Sequence, residues 1–402
     1  QGGSIWFYNA GGILIGSTGA INVGSLVLTT SDIGLTGGNL FDTDGTIHFM
    51  PTTPGSLAGV TVNGEIHANQ LLAPGSSYVA LVAPRVTQAG LVDVYGSAAY
   101  VAAEAADIRI NAGLFDIDVT TGAAGGQAIT HTGRTTGPEQ TGPAQRIYMV
   151  AIAKNQAVSM LVSGQVGYQD SATTAQTDSA GRVILSAGYN VANGDIDFAP
   201  NPTSSAAADI AVNDIIFRSD VTAHASGAFL GQPFGVVPTG GPLTFLPPPQ
   251  QGRFAIQGNG TFIGDTSSTL TINAGRVGTV TGNLSVVSGG NATTPGSAAI
   301  NVAGGQLGVQ GLTSVSAPGF FGTATGDTQG GSTGLAITNG GQMIATGGLT
   351  LSADAYGGFD AGGLASGDGT GGSVTLTVAG AGSSLTGGNI NLSANGFGAF
   401  PS

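Results

Sequence analysis

The sequence predicts an all-β protein wound as a parallel β-helix, an elongated rod with loops at its corners. Apolar runs such as Ile13–Ile15 and Leu26–Leu28 are only three residues long, whereas a helix needs about ten or more periodic residues. Each run ends at Gly, Asn, Ser or Thr, so a turn recurs about every six to ten residues. Glycine makes up 72 of the 402 residues. Very short strands, regular turns and many glycines are typical of stacked coils.

Composition excludes several classes of function. Charged residues are 8% of the chain and the net charge is −13, so phosphate groups could not be neutralised and nucleic-acid binding is excluded. Cysteine is absent, which excludes disulfides and thiolate metal sites. No apolar run approaches the ~18 residues of a membrane-spanning helix, so we expect no membrane span.

The first coil leads to a resemblance to a known family. Asn9–Gly16, followed by Ile21–Leu26, resembles the Asn-Pro-Asn-Gly-Ile-x-x-Gly and x-Asn-Val-Gly-Gly-Leu segment of two-partner-secretion exoproteins, the filamentous-haemagglutinin-like adhesins of Gram-negative bacteria. Tyr78–Val86 and Gly96–Glu104 resemble the next recurrent stretches of that family, in the same order. Ala10 and Gly11 replace the Pro and the second Asn of the family motif.

The resemblance implies a right-handed β-helical secretion domain, followed by a β-helical shaft. It also implies export by an outer-membrane transporter partner, and a location in the medium or on the surface of a Gram-negative bacterium. By resemblance, the motif that the transporter recognises is Asn9, Ala10, Gly11, Gly12 and Ile13. The segment that precedes this motif in the family is absent, so we expect the chain to begin inside the domain.

The pattern continues through the first half of the chain. We predict strands at Tyr78–Val82, Ala99–Ala102 and Ile108–Ile110, and we expect the alanine-rich stretch Ala99–Ala106 to be strand rather than helix. From Thr120 to Gln145 the residues are polar with Gly and Pro, which predicts a long, exposed and functional loop. Ser171–Ala180 predicts a second polar loop.

Proline predicts where the first domain ends. Residues 231–251 contain six prolines, and proline cannot donate to a central β-ladder. We therefore predict a secretion-domain-like β-helix over 1–230, a boundary over 231–251 and a repeat shaft over 252–402.

The shaft shows an explicit repeat with three strands per coil. We predict that Val287, Val315, Leu351 and Leu392 are equivalent positions in the first strand. Ile300–Val302, Leu335–Ile337 and Leu376–Val378 are then equivalent second strands, with buried Ile and Val side chains. Gly304–Leu307 and Gly340–Met343 begin equivalent third strands. Length varies in the loop between the first and second strands, so these loops all leave one side of the shaft.

The candidate reactive or metal-binding residues that lie close together in the sequence are three Asp-x-Asp pairs. Asp42 with Asp44, Asp116 with Asp118, and Asp195 with Asp197 could bind Ca²⁺ or act as acid and base. We expect surface carboxylates instead, because Lys, Arg and His are scarce. The four histidines, His48, His67, His131 and His224, have no metal-ligand spacing. We therefore expect no catalytic residues, no metal site and no cofactor.

These observations predict a non-enzymatic exported adhesin. Besides the transporter, its expected partner is a surface glycan or protein receptor, bound by loop residues Thr135, Glu139, Asp327, Tyr356 and Phe359. One alternative is a structural subunit that binds copies of itself end to end as an extracellular filament. A second alternative is a β-helical enzyme that cleaves polysaccharide.

Overall fold

A computed structural model describes most of the chain. The described residues are 3–68, 77–111, 113–138, 145–154, 156, 158–168, 181–200, 214–217, 221–225, 228–231, 243–246, 253–264, 266–289, 295–319, 327–357 and 367–398. Every helix or strand assigned within these ranges is a β-strand, which confirms the all-β prediction.

Most strands are short, as the interrupted apolar runs predict. Up to residue 217 they are β1 (Ser4–Tyr8), β2 (Ile13–Ile15), β3 (Ala20–Asn22), β4 (Ser25–Thr29), β5 (Asp32–Gly34), β6 (Thr46–Met50), β7 (Gly59–Val62), β8 (Glu65–Ala68), β9 (Tyr78–Ala83), β10 (Arg85–Gln88), β11 (Leu91–Val94), β12 (Ser97–Asn111), β13 (Leu114–Gly122), β14 (Gly126–His131), β15 (Arg134–Thr136), β16 (Gln145–Ala151), β17 (Val158–Val162), β18 (Gln165–Val166), β19 (Gly181–Ala187), β20 (Tyr189–Ala192), β21 (Asp195–Pro200) and β22 (Asp214–Phe217). After that they are β23 (Val221–Ala225), β24 (Ala228–Gly231), β25 (Leu243–Leu246), β26 (Arg253–Ile256), β27 (Gly260–Gly264), β28 (Ser267–Asn273), β29 (Val277–Val280), β30 (Leu284–Ser288), β31 (Ser297–Ala303), β32 (Gln306–Val309), β33 (Thr313–Ser316), β34 (Thr328–Gln329), β35 (Ser332–Thr338), β36 (Gln342–Ala345), β37 (Leu349–Ser352), β38 (Ala355–Tyr356), β39 (Gly369–Thr370), β40 (Ser373–Val378), β41 (Ser384–Gly387), β42 (Ile390–Ser393) and β43 (Gly396–Phe397).

The chain divides into two compact units. Unit 1 comprises Gln1–Ser219 with Leu243–Phe254, and unit 2 comprises Asp220–Pro242 with Ala255–Ser402. Of the predicted proline-rich boundary, only Gly231 and Leu243–Leu246 lie within the described residues.

Unit 1 contains three parallel sheets that the chain visits in rotation. Sheet A is β1-β4-β9-β12-β16-β19-β25, sheet B is β2-β7-β10-β14-β17-β22, and sheet C is β3-β8-β11-β15-β18. Consecutive strands such as β9, β10 and β11 therefore belong to sheets A, B and C, and β12 returns to sheet A. Apolar side chains from all three sheets are buried, including Leu81, Val86 and Val92.

A fourth sheet, here called the side sheet, is antiparallel and has the order β5-β6-β12-β13-β20-β21. Strand β12 belongs to two sheets: Ser97–Ala102 pairs in parallel within sheet A, and Ala103–Asn111 pairs with β13 in the side sheet. The alanine-rich stretch is strand, as predicted. The prediction of two separate strands there was wrong, because the register shift after Ala103 redirects one continuous strand instead of ending it.

The prediction of a long loop over Thr120–Gln145 was also wrong. β13 extends to Gly122, β14 and β15 follow, and β16 begins at Gln145; residues 139–144 lie outside the described residues. The polar residues are strand because their register places Ile129 and Thr135 in the interior, with ladder partners on both sides. The predicted loop Ser171–Ala180 lies outside the described residues.

Unit 2 repeats the rotation with greater regularity. Its three parallel sheets are β23-β27-β30-β33-β37-β42, β24-β28-β31-β35-β40 and β26-β29-β32-β36-β41. The predicted second and third strands are confirmed, since Ile300 pairs with Leu335, Leu335 pairs in turn with Leu376, and Gln306 pairs with Gln342. Ile337 is buried as predicted, whereas Val378, on the outermost described strand of its sheet, is 44% exposed.

The first of the predicted equivalences is displaced by one residue. Val315, Leu351 and Leu392 are in register, but the partner of Val315 on β30 is Val286 rather than Val287. Val286 is fully buried, and a slip of one residue would send it to the outer face, because side chains alternate along a strand.

The variable loops of unit 2 form small parallel pairs of their own. β34 pairs with β39, and β38 pairs with β43, outside the three sheets. The rings of Tyr356 and Phe397 stack with centroids 4.7 Å apart. Loop residues 320–326 and 358–366 lie outside the described residues.

Candidate functional site

The side sheet of unit 1 has one apolar face and one polar face. Along β6 the buried side chains Ile47 and Phe49 alternate with Thr46 and His48. β12 and β13 alternate in the same way, so the buried residues pack into the core and the polar residues face solvent. This alternation is expected of an antiparallel sheet that covers a core on one side only.

The polar face forms a groove of ≈ 490 Å³, here called the acidic groove. It is lined by Asp42, Asp44, Thr46, His48, Asp107, Arg109, Asp116, Ile117, Asp118, Asn190, Val191, Ala192, Asn193 and Asp197. The structure thus brings together residues from all three predicted Asp-x-Asp pairs, contributed by β13, β21 and the turn before β6. Six aspartates face one arginine and one histidine.

His48 lies between two carboxylates. Its Nδ1 is 2.8 Å from Asp107 Oδ1 and its Nε2 is 3.6 Å from Asp42 Oδ2. Asp107 on β12 is the direct cross-strand partner of His48. The hydrogen bond to Asp107 is the main reason that the pKa of His48 is raised above 6.5.

Arg109 neutralises Asp116. Its Nε and Nη2 donate to Asp116 Oδ2 at 3.1 and 2.7 Å, across the register of β12 and β13. The other carboxylate oxygen of Asp116 accepts from the backbone N–H of Gly194 at 3.1 Å. The carbonyl of Gly194 accepts from Arg146 and from the Tyr148 hydroxyl, so three side chains fix the turn between β20 and β21.

Asp118 lies opposite Asp107 in the β12–β13 register. Asn190 donates a hydrogen bond to Asp118 Oδ1, and the backbone N–H of Val119 donates to Asn190 Oδ1. Burial, followed by repulsion from Asp107 and Asp197, raises the pKa of Asp118 despite the Asn190 bond. The centre of the groove therefore has more negative charge than its own cations neutralise.

Such a groove attracts cations, and it also places a carboxyl group of raised pKa beside a carboxylate, as acid–base chemistry requires. Among the described side chains, no group of three or more His, Asp or Glu is arranged to hold a metal ion.

Thr135, a predicted ligand contact, is buried instead. Thr135 Oγ1 lies 2.9 Å from His131 Nε2 and 2.6 Å from the Tyr100 hydroxyl, and His131 Nδ1 lies 2.9 Å from the Ser163 carbonyl. A carbonyl only accepts, so Nδ1 of the neutral ring carries the proton, Thr135 donates to Nε2, and Tyr100 donates to Thr135. Burial lowers the pKa of His131 to about 4. Thr135 is therefore an interior residue with a hydrogen-bonded hydroxyl, and not the exposed loop residue that was predicted.

Two other predicted contact residues, Asp327 and Tyr356, do not line the groove. Asp327 and Tyr356 are exposed in unit 2, where Asp327 Oδ1 accepts from the Asp368 N–H and Thr328 donates to the Tyr356 carbonyl. Glu139 and Phe359 lie outside the described residues.

The stretch Asn9–Ile13 forms the turn between β1 and β2, and Asn9, Ala10 and Gly11 are exposed. Asn9 Oδ1 accepts from the Gly11 N–H at 2.9 Å, and the Asn9 carbonyl accepts from the Gly12 N–H at 3.1 Å. Gly12 has φ 114°, a conformation that favours glycine. The turn is thus a defined surface feature.

Sequence reasoning missed Asp107, Arg109, His48 and Asn190 as groove residues. The period-two alternation of Asp107-Ile108-Arg109-Ile110 was an available signal for a half-polar strand. The antiparallel pairing that joins Asp107 to His48, 59 positions away, had no local signal.

Comparison with known proteins adds no identification. No protein family and no curated protein matches the chain. Within the described residues, no helix has the length and apolar character needed to cross a membrane.

Proposed function

We propose that the chain is a right-handed parallel β-helix from a filamentous-haemagglutinin-like exoprotein of the two-partner type. In this proposal an outer-membrane transporter exports it to the surface of a Gram-negative bacterium, where it acts as a non-enzymatic adhesin. The main support is the rotation of consecutive strands through three parallel sheets, with equivalent positions in register from one repeat to the next. A winding chain produces this order of pairing naturally.

The surface turn Asn9–Ile13 is the proposed point of transporter recognition. Its exposed side chains and its internal hydrogen bonds supply a rigid, accessible shape at the position where the family motif is expected.

The acidic groove is the proposed contact surface for the adhesin's partner. Its excess of carboxylates matches a basic peptide segment, rich in lysine or arginine, of a surface protein. Most charged residues of the groove stand on paired strands, with only Asp42 and Asp44 in a turn, so most of its charges are held in place before the partner binds.

Export is tested in a Gram-negative host that carries the chain behind a signal peptide, with and without a two-partner transporter. We expect secretion only with the transporter, and a loss of secretion in Asn9→Ala, which removes the side-chain acceptor of the turn. Asn259→Ala, which removes a comparable side-chain-to-backbone bond to the Asn283 N–H, is the matched control and should be secreted normally. Equal secretion without the transporter would refute this part of the proposal.

A polysaccharide-cleaving enzyme is the second candidate. The observation in its favour is Asp118, whose raised pKa and position opposite Asp107 suit a general acid beside a carboxylate. Release of reducing ends from a polysaccharide panel, abolished in Asp118→Asn with the fold intact, would support this candidate over the adhesin.

A further inference from the structure

We propose that His48, when protonated, competes with the basic partner of the acidic groove for the carboxylates of Asp42 and Asp107. When protonated, its imidazolium occupies Asp42 and Asp107; when neutral, it releases one of these carboxylates to the partner. The inference deepens the proposed function and rests on the groove being the contact surface.

The geometry supplies both states. Protonated His48 can donate from Nδ1 to Asp107 and from Nε2 towards Asp42, at 2.8 and 3.6 Å. Neutral His48 carries only one N–H, so it can donate to only one carboxylate at a time. The side chains of His48, Asp42 and Asp107 are each about a third exposed, so a partner can reach the same oxygens.

Among the charged groups that face each other here, His48 is the cation whose charge changes with pH. From β12, Asp107 faces it directly, with Arg109 two residues further on and already paired with Asp116. The turn before β6 contributes Asp42 and Asp44. The neighbouring strand β5 places the uncharged residue Gly34 opposite His48. Asp118 lies beyond Asp107 on β13.

His48 should therefore make binding dependent on pH in a defined direction. As the pH rises through its pKa, His48 loses its positive charge, the groove becomes more negative by one charge, and affinity for a basic peptide should increase. The size of one exposed charge pair predicts an affinity about threefold higher at about pH 8.5 than at about pH 6.

A second histidine supplies a matched control. His67 on β8 is also held between two carboxylates, with Nε2 3.0 Å from Glu65 and Nδ1 3.5 Å from Asp93. Both carboxylates belong to sheet C rather than the side sheet, and none of the three residues lines the acidic groove.

The experiment is calorimetric titration of the whole chain with an octalysine peptide at the two pH values. We expect the pH dependence in the wild type and in His67→Gln, and its loss in His48→Gln, which should bind equally at both. Asp118→Asn should bind more weakly but keep the dependence, since that carboxyl is a different titrating group. A His48→Gln variant that retains the full dependence would overturn the inference.

A second readout covers the case in which the peptide fails to bind. Proton NMR titration of the histidine rings should show that Asp107→Asn lowers the pKa of His48 and leaves that of His67 unchanged. Absence of binding with this NMR result would refute the groove as contact surface while leaving the His48–Asp107 coupling intact. An unchanged His48 titration in Asp107→Asn would overturn the competitor itself.

Discussion

In both units consecutive strands rotate through three parallel sheets, but the units differ in the strands that lie outside these sheets. In unit 1 the chain leaves the rotation for strands β5, β6, β13, β20 and β21, which together with the second half of β12 form an antiparallel sheet. In unit 2 the described strands outside the three sheets are the four two-residue strands β34, β38, β39 and β43, which stack in parallel pairs. Parallel stacking places only equivalent positions of successive repeats side by side. The side sheet instead joins residues 59 to 78 positions apart, and so can gather unlike groups into one site.

Interior contacts also differ between the units. Unit 1 buries His131 and Glu104, the ion-pair partner of Lys154, whereas unit 2 buries Arg276 and Ser268 beside its apolar stacked positions Phe262, Val286, Val315 and Leu351.

The apolar stack of unit 2 should not tolerate a charge. Ile337→Asp places a carboxylate at a fully buried position between Val302 and Val378, and we expect a loss of about 4 kcal/mol or more in unfolding free energy. Ala336→Asp, one residue earlier on the outer face, should change stability little. Denaturant unfolding measures both, and equal effects of the two would contradict the assigned register.

The single lysine should matter for unit 1. Lys154 Nζ lies 2.8 Å from Glu104 Oε2, and the Glu104 side chain is only 2% exposed. Lys154→Met leaves that carboxylate without its cation and should cost about 3 kcal/mol. The double variant Lys154→Met/Glu104→Gln should recover most of the loss, because Gln still accepts from the Gly55 N–H. No recovery would show that lost packing, rather than charge, causes the effect.

The buried His131 should make unit 1 sensitive to acid. Its pKa is about 4 when folded and about 6.5 when unfolded, so the unfolded chain binds the proton first. The contribution is complete above about pH 6.5 and falls as the pH drops to about 4, by about 3 kcal/mol at most. Stability measured against pH in the wild type and in His131→Gln should differ in slope within this window. Parallel curves would contradict a neutral, buried His131.

The smallest predicted effect concerns the turns of unit 2. Asn283 Oδ1 accepts from the Leu312 N–H at 2.9 Å, and the Asn283 N–H donates to Asn259 Oδ1 at 2.8 Å. Asn283→Ala keeps the second bond and removes the first, at a cost of about 1 kcal/mol. Asn283→Asp retains an acceptor and should therefore lose less stability than Asn283→Ala. A smaller loss of stability in Asn283→Ala than in Asn283→Asp would indicate that the bond does not stabilise the protein.

Local patterns account for what the sequence predicted correctly. Apolar runs that end at Gly, Asn or Ser correctly predicted strands. Repeated motifs such as Gly304–Leu307 and Gly340–Met343 correctly predicted the register between strands. The displaced Val287 shows the limit, because adjacent valines satisfy the same pattern and only burial distinguishes their faces.

The candidate site was less predictable. The Asp-x-Asp pairs were visible, but their convergence depends on β12 extending from sheet A into the side sheet. Thr135 was misassigned because a polar residue in a glycine-rich stretch normally indicates a loop, and its partners His131 and Tyr100 are fixed only by packing.

Removal of two aspartate charges from each unit in turn tests directly whether the acidic groove is the contact surface. Calorimetric titration with octalysine is carried out on the wild type, on Asp107→Asn/Asp118→Asn in the acidic groove, and on Asp327→Asn/Asp368→Asn in unit 2. We expect the groove variant to bind about tenfold more weakly and the unit 2 variant to bind like the wild type. Equal weakening in both variants would show a general effect of net charge, and would contradict the acidic groove as the contact surface.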